Sequence, residues 1–322
     1  MKLNGNGAGK EKRHRVVSLF SGCGGLDLGF TGGFSVFGRK YDRLPFDIVW
    51  ANDLNPAACA TYRKNLSDHI HCGDIWEALD EMPKRADVVI GGFPCQDVSI
   101  NGLRRGINGH RSGLYKAMIE AVARIRPKVF VAENVKGLLI GNNEALRRVL
   151  SDFTALGYSV SYKLYLAADY DIPQMRQRIF IVGTAPRVKG FTPPAPICSE
   201  TPSLYTKAWM TSKEAIGDLE RKPEDESINH VWSRAERSPE QGNRQIKADR
   251  PADTMRAECH GNIQFHYKLD RRISMREAAR FQSFPDDFIF AAKLRETERQ
   301  VGNAVPPVLG WHIAKAVSES LQ

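Results

Sequence analysis

The hexapeptide Gly91-Gly92-Phe93-Pro94-Cys95-Gln96 sets a thiol directly after a strand. The preceding run Ala86-Asp87-Val88-Val89-Ile90 reads as a buried strand, and two glycines and a proline stop it abruptly. Open α/β sheets hold their ligands beyond the carboxyl ends of their strands. Cys95 is therefore offered to a cleft, where a thiolate would act as a nucleophile. An ordinary thiol titrates near ~8.5, so it would need activation. The competing reading is a small buried hydrophobe, a common fate for a free cysteine.

Other strand ends carry chemistry too. Arg15-Val16-Val17-Ser18-Leu19-Phe20 reads as the first strand, followed by the turn Ser21-Gly22-Cys23-Gly24-Gly25-Leu26-Asp27 and a helix start. A Gly-rich turn there lets backbone approach a nucleotide-like ligand. The pattern lacks the full dinucleotide fingerprint and suits a nucleoside cofactor without a pyrophosphate. The strand Asp47-Ile48-Val49-Trp50-Ala51-Asn52-Asp53 ends in an acid placed to accept from ribose hydroxyls; Asp53 could equally cap the helix Pro56 to Asn65. The third strand, His69-Ile70-His71-Cys72, ends at Gly73-Asp74-Ile75, where Asp74 could meet an adenine amino group. The fifth, Lys128 to Ala132, ends at Glu133-Asn134-Val135, giving Cys95 a carboxyl neighbour. Gln174, Arg176 and Arg178 precede the strand Ile179 to Gly183 and, in an extended segment, share one face.

The elements that position these groups follow in order. Helices are expected over Leu114 to Ile125, with Leu114, Met118, Ile119, Val122 and Ile125 on one face, and over Glu144 to Leu156. Ser159 to Leu166 reads as a strand. Gln96 to Ser112 is a polar, Gly- and Arg-rich loop of a length often found in functional lids. After Ala185 prolines cluster and periodicity fades until Lys268, so a separate loop-rich insert is expected, with Trp209, Trp232, Phe265 and Tyr267 as its packed centre. Helical periodicity returns at Ser274 to Phe281 and again from Val308 to Val317, after Gly302-Asn303-Ala304-Val305-Pro306-Pro307.

Composition narrows the class. The 322 residues are 42% hydrophobic and 26% charged, ordinary for a soluble globular protein. No apolar run approaches the ~20 residues a membrane helix needs, and the Gly- and Lys-rich start lacks an export signal. The six cysteines form no Cys-x-x-Cys pair, so no metal site is expected and the thiols read as reduced, in a cytoplasmic protein. The net charge of +9 suits a polyanionic partner. Arg104, Arg105, Arg111, Lys116, Arg124, Arg126 and Lys128 cluster downstream of Cys95, and Arg271, Arg272, Arg276 and Arg280 form a second group; phosphate binding accounts for the first.

Taken together, these motifs resemble the DNA (cytosine-5) methyltransferase family of the bacterial modification type. The resemblance covers nearly the whole chain except the insert and tail, and its motifs stand in the family's order: Phe20-x-Gly22-x-Gly24-Gly25, Asn52-Asp53, Gly73-Asp74-Ile75, Gly92 to Gln96, Glu133-Asn134-Val135, Gln174-x-Arg176-x-Arg178, Arg276 to Arg280 with Phe284-Pro285, and Gly302 to Pro306. It implies a Rossmann-like α/β S-adenosylmethionine-dependent methyltransferase fold with a mostly parallel sheet, plus a small loop-rich recognition domain. The divisions expected are a flexible tail at 1–14, a catalytic and cofactor-binding domain at 15–185, a target-recognition domain at 186–269, and a segment at 270–322 that returns to the catalytic domain.

The resemblance also implies roles. S-adenosylmethionine, leaving as S-adenosylhomocysteine, would meet Phe20, Gly22, Cys23, Gly24, Gly25, Leu26, Asp53, Leu54, Asp74, Ile75, Pro94, Leu114, Asn303 and Ala304. Leu54 departs from the aromatic or long apolar residue of many relatives. Cys95 would add to carbon 6 of cytosine, Glu133 would hydrogen-bond ring nitrogen 3 and the exocyclic amine, and Arg178 would meet the carbonyl oxygen; a structural Glu133–Arg178 ion pair is the plainer reading. The base must be flipped out of double-stranded DNA. Gln96, Ser99, Asn101, Arg104, Arg105, Arg111 and Arg176 would hold the DNA, and Thr254 and Arg256 belong to a Thr-containing recognition signature, Asp253 to Ala257. Arg244, Gln245, Glu258, His260, Asn262 and Gln264 are further base-reading candidates. A monomer serving a restriction–modification system with a companion endonuclease is expected. The same chemistry on RNA and a catalytically silent DNA-binding regulator are the alternatives; a thiol hydrolase lacks a histidine in the neighbouring motifs.

Overall fold

A computed structural model describes residues 13–94, 113–139, 143–237, 244–257 and 264–322. Seven strands form one sheet: β1 (His14–Leu19), β2 (Phe46–Asp53), β3 (Ile70–Cys72), β4 (Val88–Gly92), β5 (Val129–Val135), β6 (Ser159–Leu166) and β7 (Gln177–Thr184). Their order is β3-β2-β1-β4-β5-β7-β6. All neighbours pair parallel except β7, which runs antiparallel to β5 and β6. The order reverses between β1 and β4, and a crevice opens there beyond the strand ends. The flexible tail expected over 1–14 lies outside the described residues up to 12, and His14 already belongs to β1.

The central strands β1, β4, β5 and β7 are largely apolar because both faces are covered, whereas the edge strand β6 is mostly polar and exposed. Alternation divides them: Val16, Ile48, Ile90 and Val131 join a core with Phe30, Leu309 and Ile313. Val17, Trp50, Val89 and Phe130 join the opposite core with Met118, Val122 and Phe153. The first core is closed by α1 (Gly25–Thr31) and the C-terminal helix α8 (Pro307–Ser320). These two helices approach so closely that a Cβ at Gly29 would lie 2.6 Å from Pro307 O. The second is closed by α4 (Leu114–Ile125) and α5 (Glu144–Ala155). Between them in sequence are α2 (Pro56–Asn65) and the short α3 (Ile75–Ala78).

The segment 186–269 is loop-rich, with two-residue strands and the short helix Ser212–Ile216. Its described residues do not close a core of their own. Ala215, Ile216, Ile246, Ala252 and Met255 are buried with Met275, Phe281, Phe284, Phe288 and Val301 of the C-terminal segment, and with Cys23. Of the aromatics expected at its centre, Trp209 donates to Asp169 on the catalytic side at 2.9 Å, and Phe265 lies between the Arg237 and Arg272 guanidinium groups. α6 (Met275–Phe281) starts at a capping box in which Ser274 and Glu277 satisfy each other's backbone amides. α7 (Leu294–Asn303), which no apolar periodicity announced, delivers the chain to the crevice.

Candidate active site

A cleft of about 610 Å³ opens at the carboxyl ends of β1, β2, β4 and β5. Its floor is the turn after β1. Phe20 takes a left-handed conformation, φ 54, and Gly24 caps α1 with φ 93. A Cβ at Gly24 would stand 2.3 Å from Leu66 Cδ1, so only glycine fits. The Asp53 carboxylate ties this turn to β2, accepting from Gly22 N and Asn55 N, both at 2.8 Å. Burial raises its pKa against those two amides. The cap of α2 is Asn55, not Asp53: its Oδ1 accepts from Ala57 N and Ala58 N. Beneath the turn lies Asp27, without exposed surface, accepting from Ser18 Oγ at 3.0 Å and Tyr62 Oη at 2.9 Å. Burial pushes its carboxyl up to about 7. Cys23 also lines the cleft, and burial pushes its thiol up to about 12, which opposes thiolate formation.

The opposite wall is built by β4, β5 and β7. Glu133 pairs in register with Gly92 on one side and Phe180 on the other. A Cβ at Gly92 would lie 3.0 Å from Glu133 Oε2, so the carboxylate rests over the end of β4. Arg178, diagonal across the antiparallel pair, brings Nε to 2.9 Å from Glu133 Oε1. This is an ion pair, and among the described residues Oε1 has no hydrogen-bond partner. Burial raises the Glu133 pKa, with Arg178 and then Arg176 opposing. Asn134 Nδ2 donates to Phe93 O at 2.9 Å, fixing the backbone that runs into Pro94.

Gln174, Arg176 and Arg178 were expected on one face and divide into two jobs. Arg178 lines the cleft. Gln174 and Arg176 are fully buried staples. Gln174 accepts from Met255 N at 2.8 Å and donates to Phe281 O and Gln282 Oε1. Arg176 donates to Met255 O, Gly302 O and Ala304 O at 2.9, 2.8 and 3.0 Å. This corrects the DNA contact expected of Arg176: no part of its guanidinium reaches a surface. The Asp253 to Ala257 stretch is joined to the same strand. Ala252–Asp253 pairs parallel with Gln174–Met175, and Thr254 Oγ1 donates to Met175 O at 2.8 Å. Thr254 therefore serves this junction, while Arg256 is exposed. A Cβ at Gly302 would lie 2.4 Å from Arg256 C, so the crossing requires glycine.

Most of the residues expected around a cofactor line this one cleft. They are Phe20, Gly22, Cys23, Gly25 and Leu26 in the turn, Asp53 and Leu54 after β2, Pro94, Leu114 at the start of α4, and Asn303 and Ala304 after α7. Leu54 is 71% exposed. Gly24, Asp74 and Ile75 are not in the lining: Asp74 caps α3 through Trp76 N at 2.9 Å, and Ile75 is buried in the second core. Cys95, Gln96, Ser99, Asn101, Arg104, Arg105 and Arg111 lie outside the described residues, as do Glu258, His260 and Asn262. The rest of the first basic cluster is corrected in part. Arg124 pairs with Glu120 and Asp80, Lys128 with Asp87, and Arg126 donates to Leu156 O, all at the end of α4 away from the cleft. In the second cluster Arg271 is paired with Glu277, Arg280 with Asp218 and Asp286, and Arg272 and Arg276 are buried. Asp27, Asn134, Arg299 and Gln300 are lining residues that no motif singled out as ligand-facing.

Comparison with known proteins agrees with this geometry. The C-5 cytosine-specific DNA methylase family profile matches residues 14–319. The chain is 36% identical over 332 residues to the Type II methyltransferase M.NgoFVII of Neisseria gonorrhoeae, covering 94% of this chain and 86% of that one. It is 36% identical to the Type II methyltransferase M.FnuDI of Fusobacterium nucleatum, covering 95% of each. The solved S. pombe Dnmt2 methyltransferase shares the fold, with a TM-score of 0.69 at 19% identity over 95% of this chain and 99% of that one. Parallel sheet, switch-point cleft and motif order coincide, and the chain belongs to the C-5 cytosine-specific DNA methylase family.

Proposed function

We propose that the cleft binds S-adenosylmethionine and that Cys95, Glu133 and Arg178 carry out methyl transfer to carbon 5 of a flipped-out cytosine. The observation that carries this reading is the buried Glu133–Arg178 pair resting over the end of β4, with an unmade hydrogen bond on the carboxylate. The cleft suits a nucleoside-sized cofactor: about 610 Å³ falls within the roughly 300–1,000 Å³ of small-molecule sites. Asp53 stands where a ribose would lie and the exposed Leu54 offers an apolar surface to a base. The bound cofactor supplies the activated methyl group.

The chain's own groups prepare the base. Cytosine carbon 5 is a poor nucleophile until a thiolate adds at carbon 6, which turns the ring into an enamine. Cys95, next in sequence after Pro94, supplies that thiolate. Glu133, whose pKa burial raises, is suited to hold or donate a proton at ring nitrogen 3 and to accept from the exocyclic amine. Arg178 orients the base through its carbonyl oxygen and keeps Glu133 from a fully apolar setting. Loss of the carbon-5 proton lets Cys95 leave and restores the aromatic ring.

Gln96, Ser99, Asn101, Arg104, Arg105 and Arg111 serve the DNA, and residues 186–269, joined through Ala252–Asp253 to the two-residue strand Gln174–Met175, read the target. The two relatives from Neisseria gonorrhoeae and Fusobacterium nucleatum are Type II methyltransferases, which supports service in a restriction–modification system; a cytoplasmic monomer beside an endonuclease of the same site completes the proposal. Among the described residues no helix is long and apolar enough to cross a membrane. Bisulfite sequencing of unmethylated plasmid incubated with the protein and S-adenosylmethionine tests the proposal. Protected cytosines in one repeated context, lost with Cys95→Ala, are expected; protection that persists in Cys95→Ala would refute it.

A further inference from the structure

Gln300 sits on α7 one turn before Asn303 and lines the cleft. It is 4% exposed, and among the described residues neither Oε1 nor Nε2 has a hydrogen-bond partner. A buried carboxamide with both halves unmade weakens a fold unless a ligand completes it. We propose that Gln300 binds the amino-acid end of S-adenosylmethionine, Oε1 accepting from the ammonium and Nε2 donating to the carboxylate. The inference rests on the cofactor reading above.

Position selects that end of the molecule. The cofactor's sulfur carries three arms. The methyl must face β4 and β5, where Glu133 and Arg178 stand. The adenosine arm belongs beside Asp53 and Leu54 after β2. The third arm has the remaining wall, the seam between the turn after β1 and the turn after α7. Gln300 stands at that seam: its backbone oxygen accepts from Ala304 N at 3.0 Å and lies 4.0 Å from Cys23 Sγ. α7 runs toward it from the adenosine side, where Glu296, one turn earlier, accepts from Asn55 Nδ2 at 3.2 Å. An α-amino acid presents a donor group and an acceptor group side by side, which a carboxamide matches.

Calorimetric titration of wild type and Gln300→Leu with two thioethers decides this. S-adenosylhomocysteine carries the amino-acid arm; 5′-methylthioadenosine keeps adenine, ribose and sulfur but lacks it. Removing two hydrogen bonds to charged groups should weaken S-adenosylhomocysteine at least about a hundredfold and leave methylthioadenosine unchanged. Unliganded Gln300→Leu should melt no lower than wild type, because an unpaired polar group has been replaced by an apolar one. Equal weakening of both ligands, or no weakening of S-adenosylhomocysteine, overturns the assignment. Gln300→Met supplies the same comparison with an unbranched side chain should the leucine variant fail to fold. Wild type that binds neither thioether refutes the cofactor reading, and this inference with it.

Discussion

Arg176→Met separates a buried staple from a DNA contact. The substitution removes three donated hydrogen bonds, to Met255 O, Gly302 O and Ala304 O. Bonds from a charged donor contribute roughly 1.5–3 kcal/mol each, or about 6 kcal/mol together. An apolar replacement recovers the several kcal/mol spent on burying the guanidinium, whose charged form is opposed by burial and by Arg178. The remainder is a destabilisation of about 3 kcal/mol, a large part of a typical stability of roughly 5–15 kcal/mol. The perturbation is also specific in place, because the carbonyls that lose the guanidinium belong to the Asp253 to Ala257 stretch and to the turn that lines the cleft, where Ala304 O keeps only its bond from Gln282 Nε2. Urea unfolding should show a lower midpoint with an unchanged slope. DNA affinity measured against salt, at a temperature where the variant stays folded, should give the wild-type slope. A variant as stable as wild type to within about 1 kcal/mol, with a salt slope reduced by about 0.9, would mean that Arg176 neutralises a phosphate and would refute the reasoning.

Three further outcomes are expected. Burial raises Asp27 from 3.8 to about 7, so the folded state holds a proton that the unfolded chain releases; wild-type stability should fall as pH rises from about 4 to about 7 relative to Asp27→Asn, and parallel urea midpoints for the two proteins over that range would contradict this. Leu54 is exposed and poised over the cleft, so Leu54→Ala should weaken S-adenosylhomocysteine binding about fivefold, equivalent to about 1 kcal/mol of apolar contact, with no change in melting temperature; unchanged calorimetric affinity would remove Leu54 from the site. Arg104→Ala combined with Arg105→Ala should weaken DNA binding and flatten its salt dependence by about 1.8, two phosphates at about 0.9 each; an unaltered slope would rule out both contacts.

The sheet and its cleft were legible because both faces of the central strands β4 and β5 are buried. Continuous apolar runs such as Val88-Val89-Ile90 and Val129-Phe130-Val131 leave little choice, and glycine, acid or proline at each carboxyl end marks where a ligand can approach. Helix α7 was not legible, because its buried positions include Thr297, Glu298 and Gln300, and hydrophobic periodicity is blind to buried polar groups. The same blindness hid Gln300 and made Arg176 read as a surface cation. The arginine clusters misled for a related reason: sequence proximity shows a run of charge but not the acids Asp80, Asp87 and Asp218, which arrive from elsewhere in the chain to neutralise much of it. The insert looked separate because its own periodicity is poor, yet its few apolar residues are buried with the C-terminal segment, since alone they are too few to enclose a core.

The proposed covalent catalysis by Cys95 is tested most directly with DNA carrying 5-fluorocytosine at the methylated position. Fluorine cannot leave carbon 5 as the proton does, so the adduct formed at carbon 6 persists once the methyl group has transferred. The account predicts a protein–DNA species stable to denaturing electrophoresis, formed only with S-adenosylmethionine and absent with Cys95→Ala. The same species formed by Cys95→Ala, or none formed by wild type that methylates unmodified DNA, would contradict it.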